Sequence, residues 1–90
     1  MARKRSRIDI ITDVLTAIQE KGGEIKPTHL MYKANLSHPQ LQSYLEELLE
    51  KELIGKIKKK NYTYLIITDR GCEFVEKCNE MREFEKTFGI

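Results

Sequence analysis

The chain has 90 residues, with 16 basic and 14 acidic side chains and a formal net charge of +2. This length is enough for one small domain with a single hydrophobic core and excludes a second folded domain. No stretch approaches the ~18 consecutive apolar residues of a membrane span, and acidic residues interrupt the stretch after the basic start, so we expect a cytoplasmic protein without a signal peptide.

The positive charge is concentrated in two short segments. Residues 1–7 carry +4, residues 54–61 carry another +4, and the rest of the chain sums to −6. The cations of these segments are Arg3, Lys4, Arg5, Arg7, Lys56, Lys58, Lys59 and Lys60. A run of lysines is often only a solvated surface. Two such clusters on an otherwise acidic chain indicate instead a local surface for a polyanion.

A basic arm, residues 1–6, precedes the first predicted helix. Ser6 and Asp9 have the spacing of a capping box, and apolar residues then recur at helical intervals. These are Ile8, Ile11, Leu15 and Ile18. Two glycines end the helix, which we place at residues 7–21, and one rung of a strand follows at residues 24–26.

A short second helix and a three-residue turn come next. Thr28 is the expected N-cap of a helix over residues 29–34. Asn35 tolerates the left-handed conformation that ends a helix, Leu36 can fill the turn, and Ser37 can cap the following helix. Two helices separated by such a turn have the spacing of a helix-turn-helix.

The third helix has the clearest pattern in the chain. Ser37 and Gln40 form a second capping box, and Pro39 lies in the first turn, where its missing N–H costs nothing. Three leucines at positions 41, 45 and 48 lie on one stripe. The helix is predicted to end near Glu52.

A β-hairpin and a long helix complete the chain. Residues 53–58 and 62–67 alternate and are rich in β-branched and aromatic side chains, which predicts two strands. The lysines and Asn61 lie between them, so they form the tip of the hairpin. Thr68 is the predicted cap of a last helix over residues 69–88.

No motif for catalysis or for a metal is present in the sequence. A phosphate-binding glycine loop, a nucleophile elbow and a zinc-protease motif are all missing. His29 and His38 lie nine residues apart with no C-x-x-C motif, and Cys72 and Cys78 are more simply read as apolar filling. We therefore expect a protein that is not an enzyme and that needs no cofactor and no metal.

The third helix also carries the candidate base-reading residues. When its leucines face inward, the first two turns present His38, Gln40, Gln42 and Ser43 outward. Gln pairs with adenine through both amide atoms, and Ser both donates and accepts hydrogen bonds. Acidic residues follow only at positions 46, 47 and 50. This order favours insertion of the N-terminal end of the helix into a DNA major groove.

At this point the chain resembles archaeal winged helix-turn-helix proteins of the transcriptional-regulator type. The resemblance rests on the segment THLMYKANLS, residues 28–37, and on the later matches Leu41, Tyr44, Leu45, Leu48, Thr68, Gly71 and Phe74. Small dimeric archaeal chromatin proteins that pair through a C-terminal helix belong with them. Two departures are Arg70 in place of the usual Lys and a lysine-rich wing tip with Asn61 in place of a glycine turn.

The resemblance implies a mainly helical α+β fold, a winged helix-turn-helix with a three-helix core and a two-stranded wing. The winged domain would span residues 7–68, and residues 69–90 would form a dimerisation helix. It implies a homodimer bound to double-stranded DNA, with the third helix as recognition helix and the hairpin as wing. Lys33 then either reaches a phosphate or is an ordinary surface lysine. The basic arm either enters a minor groove or is a solubilising tail. Tyr32 is expected to pack in the turn or core.

The last helix is longer than a monomer of this size can cover. The residues predicted to form a dimer interface on its apolar side are Phe74, Cys78, Met81, Phe84 and Phe88. Exposed apolar patches of this kind mark interfaces. Antiparallel pairing near residue 78 would juxtapose the two copies of Cys78, which allows an intersubunit disulfide. The alternative is a winged-helix module that binds another protein through this helix and does not bind DNA.

Overall fold

The computed structural model describes residues 5–90, which form four helices and one three-stranded antiparallel sheet. The elements follow in the order α1 (Arg7–Glu20), β1 (Glu24–Ile25), α2 (Pro27–Ala34), α3 (His38–Glu50), β2 (Ile54–Lys59), β3 (Tyr62–Ile67) and α4 (Asp69–Phe88). The predicted fold class, mainly helical α+β with a long C-terminal helix, is confirmed.

Side-chain caps define the starts of three helices. Ser6 accepts a hydrogen bond from the backbone N–H of Asp9, whose carboxylate accepts one from the N–H of Ser6. Ser37 and Gln40 make the same reciprocal pair at the start of α3. The Thr68 hydroxyl caps α4 by accepting from the N–H three residues later. These three predicted caps are confirmed, and each satisfies an N–H that the helix leaves without a partner.

The predicted start of the second helix is wrong. Thr28 is not the N-cap, because α2 begins at Pro27 and its N-cap is Lys26, which makes no side-chain hydrogen bond to the helix. The proline ring sets φ close to the helical value, and its missing N–H is one that the first turn would leave unsatisfied. Proline therefore starts this helix before threonine can cap it.

The sheet has the strand order β1-β3-β2. Both pairings are antiparallel, and Leu65 at the centre is opposite Ile25 on one side and Lys56 on the other. The two residues of β1 are thus the third strand beside the hairpin. Strand β2 runs one residue further toward the tip than the sequence predicted.

The core lies between the helices and the inner face of the sheet. It is built from Ile11, Val14, Leu15, Ala17, Ile18, Ile25, Leu30, Ala34, Leu36, Leu41, Leu45, Leu48, Leu53, Ile54, Leu65 and Val75. The expected stripe of leucines on α3 is among them. Ile8, which the helical spacing placed inside, is instead 50% exposed, because it lies in the first turn of α1 at the edge of the core.

A close approach fixes the start of α4 on the base of the hairpin. A Cβ atom at Gly71 would lie 2.2 Å from the carbonyl oxygen of Leu53 and 2.7 Å from Cγ1 of Ile67. Only glycine fits here. Helix α3 ends at Glu50 and not at Glu52, which has a left-handed φ of 60° and whose carbonyl accepts a hydrogen bond from the Thr68 hydroxyl.

Candidate nucleic-acid interface

Three residues with different roles form the turn between α2 and α3. Asn35 has a left-handed φ of 55°, the conformation that asparagine tolerates, and it reverses the chain after α2. Leu36 is only 8% exposed and fills the space beneath the turn. Ser37 caps α3. The resulting unit has the short connection of a helix-turn-helix.

The N-terminal half of α3 presents polar side chains to solvent. His38, Gln42 and Ser43 are exposed, while the three leucines of the helix are buried. Donors and acceptors at these positions can meet base edges in a major groove. These side chains are therefore accessible to a partner at this end of α3.

Gln40 already has a local role that affects its availability. Its Oε1 atom accepts a hydrogen bond from the backbone N–H of Ser37 at 2.9 Å. Recognition of adenine by glutamine uses Oε1 and Nε2 together. Gln40 can therefore read adenine in this way only if the capping box opens, whereas Gln42 makes no such bond within residues 5–90.

The second half of α3 is acidic. Glu46 and Glu50 are exposed, whereas the carboxylate of Glu47 forms an ion pair with Arg7 at the start of α1. The hydrogen bond from the Arg7 guanidinium lowers the pKa of Glu47, and the same bond raises the pKa of Arg7. This half of the helix would repel phosphates, so only the N-terminal half suits DNA.

The strand register divides the lysine run between two faces of the wing. Side chains alternate along a strand. Lys56 and Lys58 therefore share the face of Ile54, which points toward the core, and Lys59 shares the opposite, outer face with Ile57. All of these lysines are exposed, because the hairpin projects past the hydrophobic core near its tip and leaves both faces of β2 open to solvent there.

Lys59 has a partner on that outer face. Its Nζ atom lies 2.7 and 2.9 Å from the two carboxylate oxygens of Glu24 on β1. Beside them, the Lys26 ammonium lies 4.1 Å from the centre of the Tyr62 ring, a cation–π distance. No sequence pattern indicates roles for Glu24 and Lys26, because their partners Lys59 and Tyr62 are more than thirty residues away along the chain. Lys56, Lys58 and Lys60 make no ion pair within residues 5–90.

The tip of the wing is a two-residue turn, Lys60–Asn61, between the paired residues Lys59 and Tyr62. Only Lys60 and Asn61 lie outside the strands, so the lysine run is mostly strand and not loop. The residue with a left-handed backbone is Lys60, with φ of 55°. Asn61 is not among the residues with a positive φ, so the left-handed position of this turn is taken by a lysine and not by the asparagine.

The basic arm is partly attached to the domain. Arg3 and Lys4 lie outside the described residues. The Arg5 guanidinium donates to the backbone oxygens of Ala34 and Asn35 and to the carboxylate of Asp13. The two described arginines that were predicted to contact DNA, at positions 5 and 7, are thus both engaged within the domain.

Helix α2 carries one further cation and one unexpected aromatic. Lys33 lies 3.8 Å from Glu20 in an exposed, loose ion pair. Tyr32 is 74% exposed, so the expectation that it packs in the turn or core is wrong. Its neighbours, buried Leu30 and half-buried Met31, suggested a core position, but the helical phase turns the ring of Tyr32 outward.

The end of α4 is uncovered. Phe74 and Cys78 are half-buried, whereas every residue from 79 to 90 is exposed. Met81, Phe84 and Phe88 are 59%, 53% and 65% exposed, and the two phenylalanine rings lie 4.8 Å apart. The exposed Ile8 lies with Met81 along an open groove between α1 and α4. The Arg82–Asp9 ion pair spans the same groove at 3.1 Å.

The described part of the chain was also inspected for metal-binding groups and for membrane-spanning helices. Within residues 5–90, no three His, Cys, Asp or Glu side chains are grouped so that they could hold a metal ion. None of the helices there is long and apolar enough to cross a membrane.

Comparison with known proteins gives a consistent result. An uncharacterised protein of Methanocaldococcus jannaschii is 36% identical over 78 residues, which are 87% of this chain and 34% of that protein. The chain thus spans about a third of the length of this relative.

Solved structures share the fold at low identity. Sso10a-2, a DNA-binding protein from Sulfolobus solfataricus, has a TM-score of 0.80 at 18% identity over 93% of this chain and 85% of its own. A winged-helix DNA-binding protein from STIV has a TM-score of 0.75 at 18% identity, covering 93% and 95%. MepR, a transcription regulator of a Staphylococcus aureus efflux pump, has a TM-score of 0.75 at 18% identity, covering 89% and 62%.

The match to a family model covers nearly the whole chain. The model, described as winged helix-turn-helix, aligns with residues 4–86, which include the helix-turn-helix, the wing and most of α4. The observed turn, the capped α3 and the hairpin are the parts that define this family. The chain therefore belongs to the winged helix-turn-helix family.

Proposed function

We propose that this chain binds double-stranded DNA as a homodimer and regulates transcription. The N-terminal half of α3 enters the major groove, and the wing and the basic arm contact flanking phosphates. The observation that carries the proposal is the group of exposed wing lysines, Lys56, Lys58 and Lys60, which make no ion pair within residues 5–90. Two proteins of similar fold, Sso10a-2 and MepR, are a DNA-binding protein and a transcription regulator, which supports the same function.

Base recognition on α3 falls mainly to Gln42 and Ser43, with His38 at the start of the helix. These side chains are exposed and are not required by the capping box. Gln40 contributes through its Nε2 atom while its Oε1 atom caps the helix. Substitution of Gln42 by Ala changes the base preference, whereas a wing lysine substitution weakens binding to all sequences alike.

The wing supplies the phosphate contacts. Each phosphate that a cation neutralises on duplex DNA contributes about 0.9 to the slope of log affinity against log salt. A dimer carries two wings, so three lysines in each wing account for a slope of about 5 in total. Neutral binding surfaces give no such dependence.

Dimerisation through α4 is the remaining part of the proposal. Met81, Phe84 and Phe88 repeat at intervals of three and four residues along one side of the helix. Such a stripe is the seam of a helix pair. Ile8 continues the apolar surface onto α1. An isologous two-fold pairing buries all four residues at once.

Fluorescence anisotropy of a labelled duplex across a salt series tests DNA binding. We expect tight binding at low salt with a steep negative slope, and absence of binding to duplex at 20 mM salt would refute the proposal. A single-stranded oligonucleotide of the same sequence is the control, because a recognition helix requires the major groove of a duplex.

Sedimentation equilibrium tests the dimer. Phe84→Ser together with Phe88→Ser should give a monomer. Glu83→Ala together with Lys86→Ala, on the opposite side of α4, should leave a dimer. A monomeric wild-type chain that binds another protein through α4 would favour the second candidate, a protein-interaction module, for which the exposed phenylalanines are the supporting observation.

A further inference from the structure

The outer face of the sheet carries a lysine that is held in place without being neutralised. Lys26 follows strand β1, and its Nζ atom lies 4.1 Å from the centre of the Tyr62 ring and 5.9 Å from that of Tyr64. Lys26 is the N-cap residue of α2, but its side chain makes no hydrogen bond to that helix. Within residues 5–90 it makes no ion pair either.

The two lysines on this face therefore differ in how much of their charge remains available. Lys59 lies against the carboxylate of Glu24, which carries a full opposite charge. An aromatic ring attracts a cation through its quadrupole but has no net charge of its own. The Tyr62 ring thus restrains the ammonium of Lys26 and leaves its positive charge available to a partner. Two lysines and one glutamate give this group of side chains a net charge of +1.

The position of this charge is next to the tip of the wing. Tyr62 is the first residue of β3, and it directly follows the Lys60–Asn61 turn. Its register partner is Lys59, and residues opposite each other in an antiparallel pair share a face, so the Tyr62 ring lies on the outer face. The ring is 56% exposed. The ammonium of Lys26 over this ring therefore extends the positive surface of the tip around the outer side of the wing.

We propose that Lys26 binds a DNA phosphate from the outer face of the sheet, and that Tyr62 is the positioning residue that holds its ammonium there. This role rests on the proposed DNA binding and adds a contact that lies outside the lysine run. An ammonium without an ion pair offers three donors to a phosphate, and a side chain restrained before binding loses less entropy on binding. One such contact in each protomer raises the expected salt slope of the dimer from about 5 to about 7.

Salt titrations of duplex affinity test the phosphate contact. Lys26→Ala should lower the salt slope by about 1.8 per dimer, because two contacts are lost. Lys51→Ala is the matched control. It removes the same charge at the C-cap of α3, at the opposite end from the half proposed to enter the groove, and should leave the slope unchanged. Thermal unfolding of each variant restricts the comparison to conditions in which the protein is folded.

A double-mutant cycle tests the positioning role of Tyr62. Tyr62→Leu keeps the charge of Lys26 but removes the ring, so it should lower affinity about five-fold at 100 mM salt and leave the slope nearly unchanged. Tyr62→Phe keeps the ring and should bind as the wild type does. In a chain that also carries Lys26→Ala, Tyr62→Leu should change affinity by less than about two-fold.

Several results would overturn this assignment. An unchanged slope for Lys26→Ala, or an equal loss of slope for Lys51→Ala, would exclude the phosphate contact. Wild-type affinity of Tyr62→Leu, or an equal loss with and without Lys26, would exclude positioning through the ring. A loss for Tyr62→Phe as large as that for Tyr62→Leu would assign the effect to the hydroxyl instead. Failure of the proposed function is distinct, since the wild-type chain would then not bind duplex at all.

Discussion

The register of the wing makes a quantitative prediction about two adjacent lysines. Lys58 lies on the core-side face of β2 and makes no ion pair within residues 5–90, while Lys59 lies on the outer face against Glu24. If the wing contacts phosphates, replacing Lys58 should weaken the salt dependence of binding strongly. Replacing Lys59 should weaken it less, because its charge is already partly compensated in the free protein.

The expected magnitude follows from counterion release. Lys58→Ala removes one contact per wing and two per dimer, which lowers the salt slope by about 1.8. Between 50 and 200 mM salt this amounts to about a twelve-fold difference in how much affinity is lost. For Lys59→Ala we expect less than half of that slope change. Glu24→Gln should have the opposite effect, because it frees Lys59 from its ion pair, and should make the salt dependence steeper.

Anisotropy titrations of one duplex at five salt concentrations measure all three slopes. Each variant is compared with the wild type only where thermal unfolding shows both to be folded. Equal slope changes for Lys58→Ala and Lys59→Ala would refute the reasoning that the register divides the lysine run. A salt slope of Glu24→Gln equal to that of the wild type would contradict the reasoning independently, because the loss of the Glu24 charge should free Lys59 and make the slope steeper.

Three further predictions concern the domain itself. Lys60→Gly should raise stability by about 0.5–1 kcal/mol in thermal unfolding, because glycine removes the strain of a left-handed φ; Asn61→Gly, at a turn position without positive φ, should not. Gly71→Ala should cost about 2–3 kcal/mol, because its Cβ would overlap a backbone carbonyl oxygen at 2.2 Å, whereas Cys72→Ala at the exposed neighbouring position should be nearly neutral. The hydrogen bonds from Ser6, with Arg82 adding to them, lower the pKa of Asp9, so its contribution is present above about pH 4 and is lost as the pH falls through the lowered value. Asp9→Asn should therefore be less stable than the wild type at pH 7, with a difference that shrinks in acid unfolding experiments toward pH 2.

Local rules account for what the sequence predicted correctly. The two capping boxes, the cap at Thr68 and the left-handed Asn35 depend on residues within four positions of one another, and their geometry follows from side-chain chemistry. The leucines of α3 follow from helical periodicity. The error at the start of α2 arose where two local signals competed and the proline prevailed.

Non-local contacts account for what the sequence could not predict. The partner of Lys59 lies 35 residues earlier on a strand of two residues, and the acceptors of Arg5 lie 29 and 30 residues later. No periodicity or motif in the sequence predicts either pairing. The face on which each wing lysine lies also depends on the register with β3, which only the complete sheet defines.

These pairings change where the DNA-binding charge lies. Of the described cations that the sequence assigned to DNA, those facing an acidic side chain are Arg5, Arg7, Lys33 and Lys59. Exposed ion pairs of this kind add little to stability. Their main consequence is electrostatic, because each acid offsets a cation near the proposed interface. Among the described cations that the sequence assigned to DNA, the three without an ion pair within residues 5–90 are Lys56, Lys58 and Lys60, all on the wing. The wing should therefore dominate the salt dependence of binding.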